Sequence, residues 1–224
     1  MKTMRAPLSK LRLLLLVSLL ALGAWRAEAA SVAVDLAATP PSENILFSFT
    51  GEENPDGWGW IGIPDEWRDM GMSFRSQQDG AIQSITLRIQ KVPSDFLDKS
   101  GFVLRIYETQ VLGETPESGK LIYSGKGELA LTQNDRDSYI KLTLGENVPV
   151  ASGALYTFIL SWEAEAPFNY IVFHNNTGYR DGQVWYRPGR TGTEWSHLSQ
   201  SDQPGLVFYV QESQSSQTPE NKKP

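Results

Sequence analysis

Gly80-Ala81-Ile82-Gln83-Ser84-Ile85-Thr86-Leu87-Arg88-Ile89-Gln90-Lys91 is the stretch whose reading decides the fold. Ile85, Leu87 and Ile89 recur at every second position, and Ser84, Thr86, Arg88 and Gln90 fill the places between them. An extended chain turns successive side chains to opposite faces, so the alternation predicts an antiparallel strand with one face on a core and the other in water. We take it as the central strand.

The same period repeats outward in both directions. Ile45, Phe47 and Phe49 form a first strand; Met70, Met72 and Phe74 a second; Phe102, Leu104 and Ile106 a third; Ile140, Leu142 and Leu144 a fourth. Leu121 to Tyr123 and Glu128 to Leu131 read as two short strands separated by Gly125 and Gly127. From Leu155 to Trp162 both faces are largely apolar, which places that strand between neighbours with its two sides covered. Phe168 to His174, Gln183 to Arg187 and Leu206 to Glu212 complete the set, and Pro93 to Asp98 is the one place with the signals of a short helical turn. About ten or eleven strands with Gly, Pro, Asn and Asp turns between them predict an all-β, two-sheet antiparallel β-sandwich, jelly-roll-like. An immunoglobulin-like sandwich is the alternative, weakened because the folded part exceeds the roughly 100 residues typical of that fold.

The ends carry different signals. Lys2, Arg5, Lys10 and Arg12 precede an apolar run from Leu13 to Ala24, and Ala27-Glu28-Ala29 follows as a small-x-small site, so residues 1–29 read as a cleaved signal peptide. The run falls short of the roughly 20 residues a membrane-spanning helix needs. Residues 30–43, with Pro40-Pro41, read as a flexible lead-in, residues 44–212 as the sandwich, and the polar stretch 213–224 as a disordered tail. Secretion or residence in a periplasm follows, with no membrane attachment after cleavage.

Charge and cysteine usage narrow the partners. The chain carries a net charge of -6, and residues 1–29 hold five of its basic residues and one acid, which leaves the exported part at -10. Such a balance, without a cluster of Lys and Arg, argues against nucleic acid as a partner. There is no cysteine, hence no disulfide, thiolate site or lipid-bearing cysteine; an exported domain of this size held together by its core alone favours a bacterial origin.

Five segments together resemble the "choice-of-anchor" modules of exported bacterial proteins, which often precede a Pro-Glu-Pro (PEP-CTERM) C-terminal sorting signal. They are Met70-Gly71-Met72-Ser73-Phe74, Ser84-Ile85-Thr86-Leu87-Arg88, Gly153-Ala154-Leu155-Tyr156-Thr157-Phe158, Gly182-Gln183-Val184-Trp185 and Leu206-Val207-Phe208-Tyr209-Val210. The resemblance implies a non-catalytic surface or secreted module and carries over no active-site residues. The chain departs from the pattern after Val210, where neither the Pro-Glu-Pro motif nor a hydrophobic helix follows.

Catalytic chemistry has few groups to draw on: two histidines, no cysteine, and none of the nucleophile-elbow, phosphate-loop or zinc-helix spacings. We read the chain as a non-enzyme needing no cofactor. Asn134, Asp135 and Asp137 supply oxygens of the kind calcium takes, but the later Glu of the expected loop is missing, so a solvated turn is the preferred reading. The aromatic residues offer more. Trp185 shares a strand face with Gln183 and Arg187, Trp195 follows in a loop, and Trp58 and Trp60 share a face of a Gly-rich segment. Such rings beside polar groups suit the flat C–H faces of sugars. The expectation is a carbohydrate-binding or cell-surface/matrix-binding module using Trp185, Trp195, Arg187 and Asp181, with Trp58 and Trp60 as a second platform. Its alternative is a structural or protein-interaction protein in which these rings are core.

Overall fold

The computed structural model describes residues 30–51, 57–64, 66–94, 99–165, 169–180, 182–189, 194–197 and 204–212. The expected signal peptide, the C-terminal tail, Asp181 and residues 95–98 of the expected helical turn lie outside these. In chain order the strands are β1 (Ala30–Ala37), β2 (Ile45–Phe49), β3 (Gly57–Ile61), β4 (Arg68–Arg75), β5 (Gly80–Lys91), β6 (Ser100–Thr109), β7 (Lys120–Leu129), β8 (Tyr139–Val150), β9 (Leu155–Trp162), β10 (Tyr170–Asn176), β11 (Val184–Pro188), β12 (Ser196–His197), β13 (Gly205–Leu206) and β14 (Phe208–Glu212). Two single 3-10 turns, Pro116–Ser118 and Gln133–Asp135, are the helical pieces among the described residues.

All-β is what the alternation dictates, but the open two-sheet sandwich is overturned. The hydrogen-bonded order runs β10-β3-β4-β9-β6-β7-β1-β8-β5, and β5 pairs back onto β10, which closes a nine-stranded barrel. The reason lies in strand length. β5 binds β8 along one edge, while β14 occupies residues Ile82 to Leu87; the end of β5 outruns β14 and reaches β10 through Ile89↔Phe173 and Lys91↔Val172. A register shift between Ile82 and Ser84 lets Ile82 point inward together with Ile85, Leu87 and Ile89, all four fully buried.

A second seam closes the other side. β1 starts parallel to β7, with Ala30 and Ser31 opposite Gly125 and Lys126, then runs antiparallel to β8 from Val32 to Ala37. Residues 30–37 are thus a barrel strand and not the flexible lead-in that their small side chains suggested. The crossing needs bare backbone: a Cβ on Gly127 would lie 2.6 Å from Phe102 Cε1 and 2.8 Å from the Val32 carbonyl oxygen. Glycine at these positions does not interrupt the strand, and Lys120 to Leu129 is one continuous element.

The interior is filled, as expected of a small barrel. Phe74, Phe102, Phe158, Phe173 and Phe208 meet Met70, Met72, Leu104 and Leu160 there without solvent exposure. β9 is buried at all eight positions, between β4 and β6, as its two apolar faces require. Ser84 and Thr86, expected in water on the outer face of β5, are instead covered: the Gln211 side chain accepts a hydrogen bond from Ser84 Oγ (3.2 Å), and the Tyr139–Tyr209 pair packs on the same sheet.

Candidate functional site on the β11 edge

β11 lies along the outer part of β4, with Trp185 opposite Gly71, Tyr186 opposite Met70 and Arg187 opposite Asp69. Alternation therefore sends Val184 and Tyr186 to the side of Met70 and Met72, and Trp185 and Arg187 to the outside with Gly71 and Asp69. Gly71 is required: a Cβ there would overlap the Phe158 carbonyl oxygen and the Ile159 side chain. Ile159, Trp185, Trp195 and Tyr107 make a small apolar cluster of their own on the outer face.

Most polar atoms of this face are paired in series, although Trp195 Nε1 and Gln183 Oε1 are buried without a partner among the described residues. Trp185 Nε1 donates to Ser73 Oγ at 2.7 Å, and Ser73 Oγ lies 2.8 Å from Thr157 Oγ1. Arg187 donates from Nε (3.1 Å) and Nη2 (2.5 Å) to Asp69 Oδ2, and from Nη1 to Glu117 Oε1 (2.8 Å). Trp67 Nε1 donates to the other Asp69 oxygen at 2.9 Å. The Arg187 guanidinium also lies over the Trp195 ring, 4.7 Å from its centroid. Burial raises the Tyr107 phenol above its ordinary pKa, with nearby Arg105 opposing the shift.

The structure thus brings Trp185, Trp195 and Arg187 into one patch, but Trp185 is 1% exposed and shows no ring face to solvent. Trp60, equally buried, stacks on Trp162 with centroids 3.9 Å apart inside the barrel. Trp58 is separate from both. It is half-buried, meets half-buried Tyr186 edge-on at 5.7 Å, and carries the Arg68 guanidinium over its ring at 5.3 Å. Its Nε1 has no partner among the described residues. Tyr186 and Arg68 were not legible as site residues, because their place beside Trp58 depends on β3 and β11 meeting around β4. No family model matches the chain, and no curated protein matches it.

Asn134, Asp135 and Asp137 do not gather as a calcium loop. Asp135 accepts from the Thr132 N–H and hydroxyl, Asp137 turns to a histidine and two arginines, and no group of three acidic or histidine side chains suited to a metal ion is found among the described residues.

Proposed function

We propose that this protein is a non-enzymatic, exported binding module that takes a carbohydrate on the rim formed by Trp58, Tyr186 and Arg68. The observation that carries the reading is the pair of half-buried rings in edge-on contact, flanked by a guanidinium and by a buried indole N–H that has no partner among the described residues. Aromatic faces give apolar area to sugar C–H groups, and a few placed donors fix orientation. Export rests on the leader-like residues 1–29, and kinship with choice-of-anchor modules on the five strand segments quoted above.

A second reading, a structural or matrix protein that contacts other proteins, draws on the packing of Trp60, Trp67, Trp162, Trp185 and Trp195, which leaves five of the six indoles outside the leader as core. A glycan array separates the two. The first reading expects a positive glycan whose binding falls at least about tenfold in Trp58→Ala and Tyr186→Ala, the loss of one stacked ring being of order 1–2 kcal/mol. Binding that survives both substitutions removes the rim from the site.

A further inference from the structure

β1 lies between β7 and β8, which do not pair with each other in the sheet order, in a slot shaped for bare backbone. Three glycines line it. A Cβ on Gly125 would lie 2.8 Å from Val32 Cγ2, one on Gly127 2.8 Å from the Val32 carbonyl oxygen, and one on Gly145 2.7 Å from the Ser31 carbonyl oxygen. Tyr123 closes the entrance: its hydroxyl donates to the Ser31 carbonyl at 3.2 Å and accepts from the Gly145 N–H at 3.3 Å. The ladder on β8 holds six residue pairs, from Val32↔Leu144 to Ala37↔Tyr139, against two on β7.

The strand that fills the slot is lightly held by its side chains. Of its eight residues only Val32 is buried, Ala30 and Val34 are half-buried, and Leu36 is 42% exposed. Most of what β1 contributes is therefore main-chain hydrogen bonding, which another copy of the same strand supplies equally well. Residues 38–44, Ala-Thr-Pro-Pro-Ser-Glu-Asn, join it to β2 and are exposed at every position except half-buried Pro41. Each proline fixes its own φ and holds the residue before it extended, so Thr39-Pro40-Pro41 is a stiff spacer of about 3.1 Å per residue. The Glu212 N–H donates to the Asn44 carbonyl at 2.8 Å, so an opening at residues 38–42 leaves β2 paired to β14.

We infer that the slot between β7 and β8 is an interaction surface for a second copy of this chain, whose β1 enters it while residues 38–42 swing open. The displaced β1 enters the other barrel, and the reciprocal exchange closes a two-fold dimer. Every contact of β1 is kept, because the guest strand has the sequence of the host's own. The balance is then left to the hinge and to protein concentration, and the stiff Pro40-Pro41 spacer favours the open path over the folded-back one. The inference is independent of the carbohydrate rim on β3 and β11.

The chain has no cysteine, so introduced thiols report without background. Ala33 on β1 faces Thr143 on β8, within disulfide reach for directly opposed antiparallel residues, and neither side chain belongs to the core. Full-length Ala33→Cys and Thr143→Cys chains, each with its own affinity tag, are co-expressed, purified and oxidised at rising concentration, and the disulfide-linked species are identified by mass. Exchange should give the mixed dimer well in excess of the two like-with-like dimers, and more of it as concentration rises. Pro40→Gly/Pro41→Gly, which loosens the hinge without touching β1, should lower the mixed dimer severalfold. The single chain carrying both Ala33→Cys and Thr143→Cys checks the register by closing its own disulfide. If it closes while the single variants give no mixed dimer, or only the proportions of random collision, the exchange is overturned. If it closes neither within one chain nor between two, β1 does not lie on β8 and the slot itself is overturned. A mixed dimer unmoved by the glycine pair would keep the exchange and overturn the part given to the hinge.

Discussion

The β11 edge and the Asp137 corner are both polar, both aromatic and both near the ends of strands, yet their hydrogen-bond accounts differ. Along β11 most charged and polar groups find a protein partner in turn, Trp185 on Ser73, Ser73 on Thr157, Arg187 on Asp69 and Glu117, and Trp67 on Asp69, while Trp195 Nε1 and Gln183 Oε1 have none among the described residues. At the corner, His174 and Arg88 each keep a buried nitrogen without a partner among the described residues, and Asp137 holds a left-handed backbone. A satisfied polar network makes the fold specific, whereas each buried group left unpaired is costly. Trp185 and Arg187, expected to form a binding platform, are held by the fold, and the unpaired nitrogens of the corner belong to His174 on β10 and Arg88 on β5, not to the turn residues Asp135 and Asp137.

Breaking the paired side should have the larger consequence. Asp69 is 2% exposed and accepts from both Arg187 and Trp67, so Asp69→Ala leaves a largely buried guanidinium facing an apolar cluster. We expect a loss of about 3–5 kcal/mol in urea unfolding, the usual effect of removing one partner of a buried pair. A loss under about 1 kcal/mol would mean that the Arg187 pair behaves as an exposed ion pair.

Ser73→Ala probes the same network more gently. It removes the acceptor of the buried Trp185 N–H without opening much space, so a loss of about 1–3 kcal/mol is expected. Trp185 fluorescence should shift little, since the ring stays enclosed by Ile159, Tyr107 and Trp195. A large red shift would show that the hydrogen bond, and not the packing, holds the ring in place.

The smallest effect per group comes from alkaline pH and touches both regions. Burial raises the phenols of Tyr107 near β11 and Tyr209 near the corner, and Tyr123 and Tyr156 likewise; for Tyr209 the neighbouring Tyr139 adds to the shift and Arg88 opposes it. A native pKa above the unfolded value means that the folded state holds its proton more tightly. The associated stability is whole below about pH 10 and is lost as pH rises through the native values. Phenolate absorbance should therefore appear later in the native protein than in urea, and the melting temperature should fall above pH 10. Coincident native and denatured titrations would contradict the burial of these rings.

What the sequence settled by itself was local. Gly80 to Lys91 reads as one strand because Ile85, Leu87 and Ile89 obey a period of two, and Leu155 to Trp162 reads as buried on both sides because both of its faces are largely apolar. Trp162 was legible as core for the same reason. Closure was not legible. A sandwich and a barrel demand the same alternation, and the choice between them turned on β5 outrunning β14 by a few residues and on β7 lacking side chains where β1 crosses it. The fate of each tryptophan was equally a matter of neighbours: Trp58 and Trp60 share a strand face, but Trp60 meets Trp162 in the interior while Trp58 meets Tyr186 at the rim. A side chain's direction follows from backbone geometry, which period encodes; what covers it comes from strands distant in sequence, and only the tertiary structure decided that.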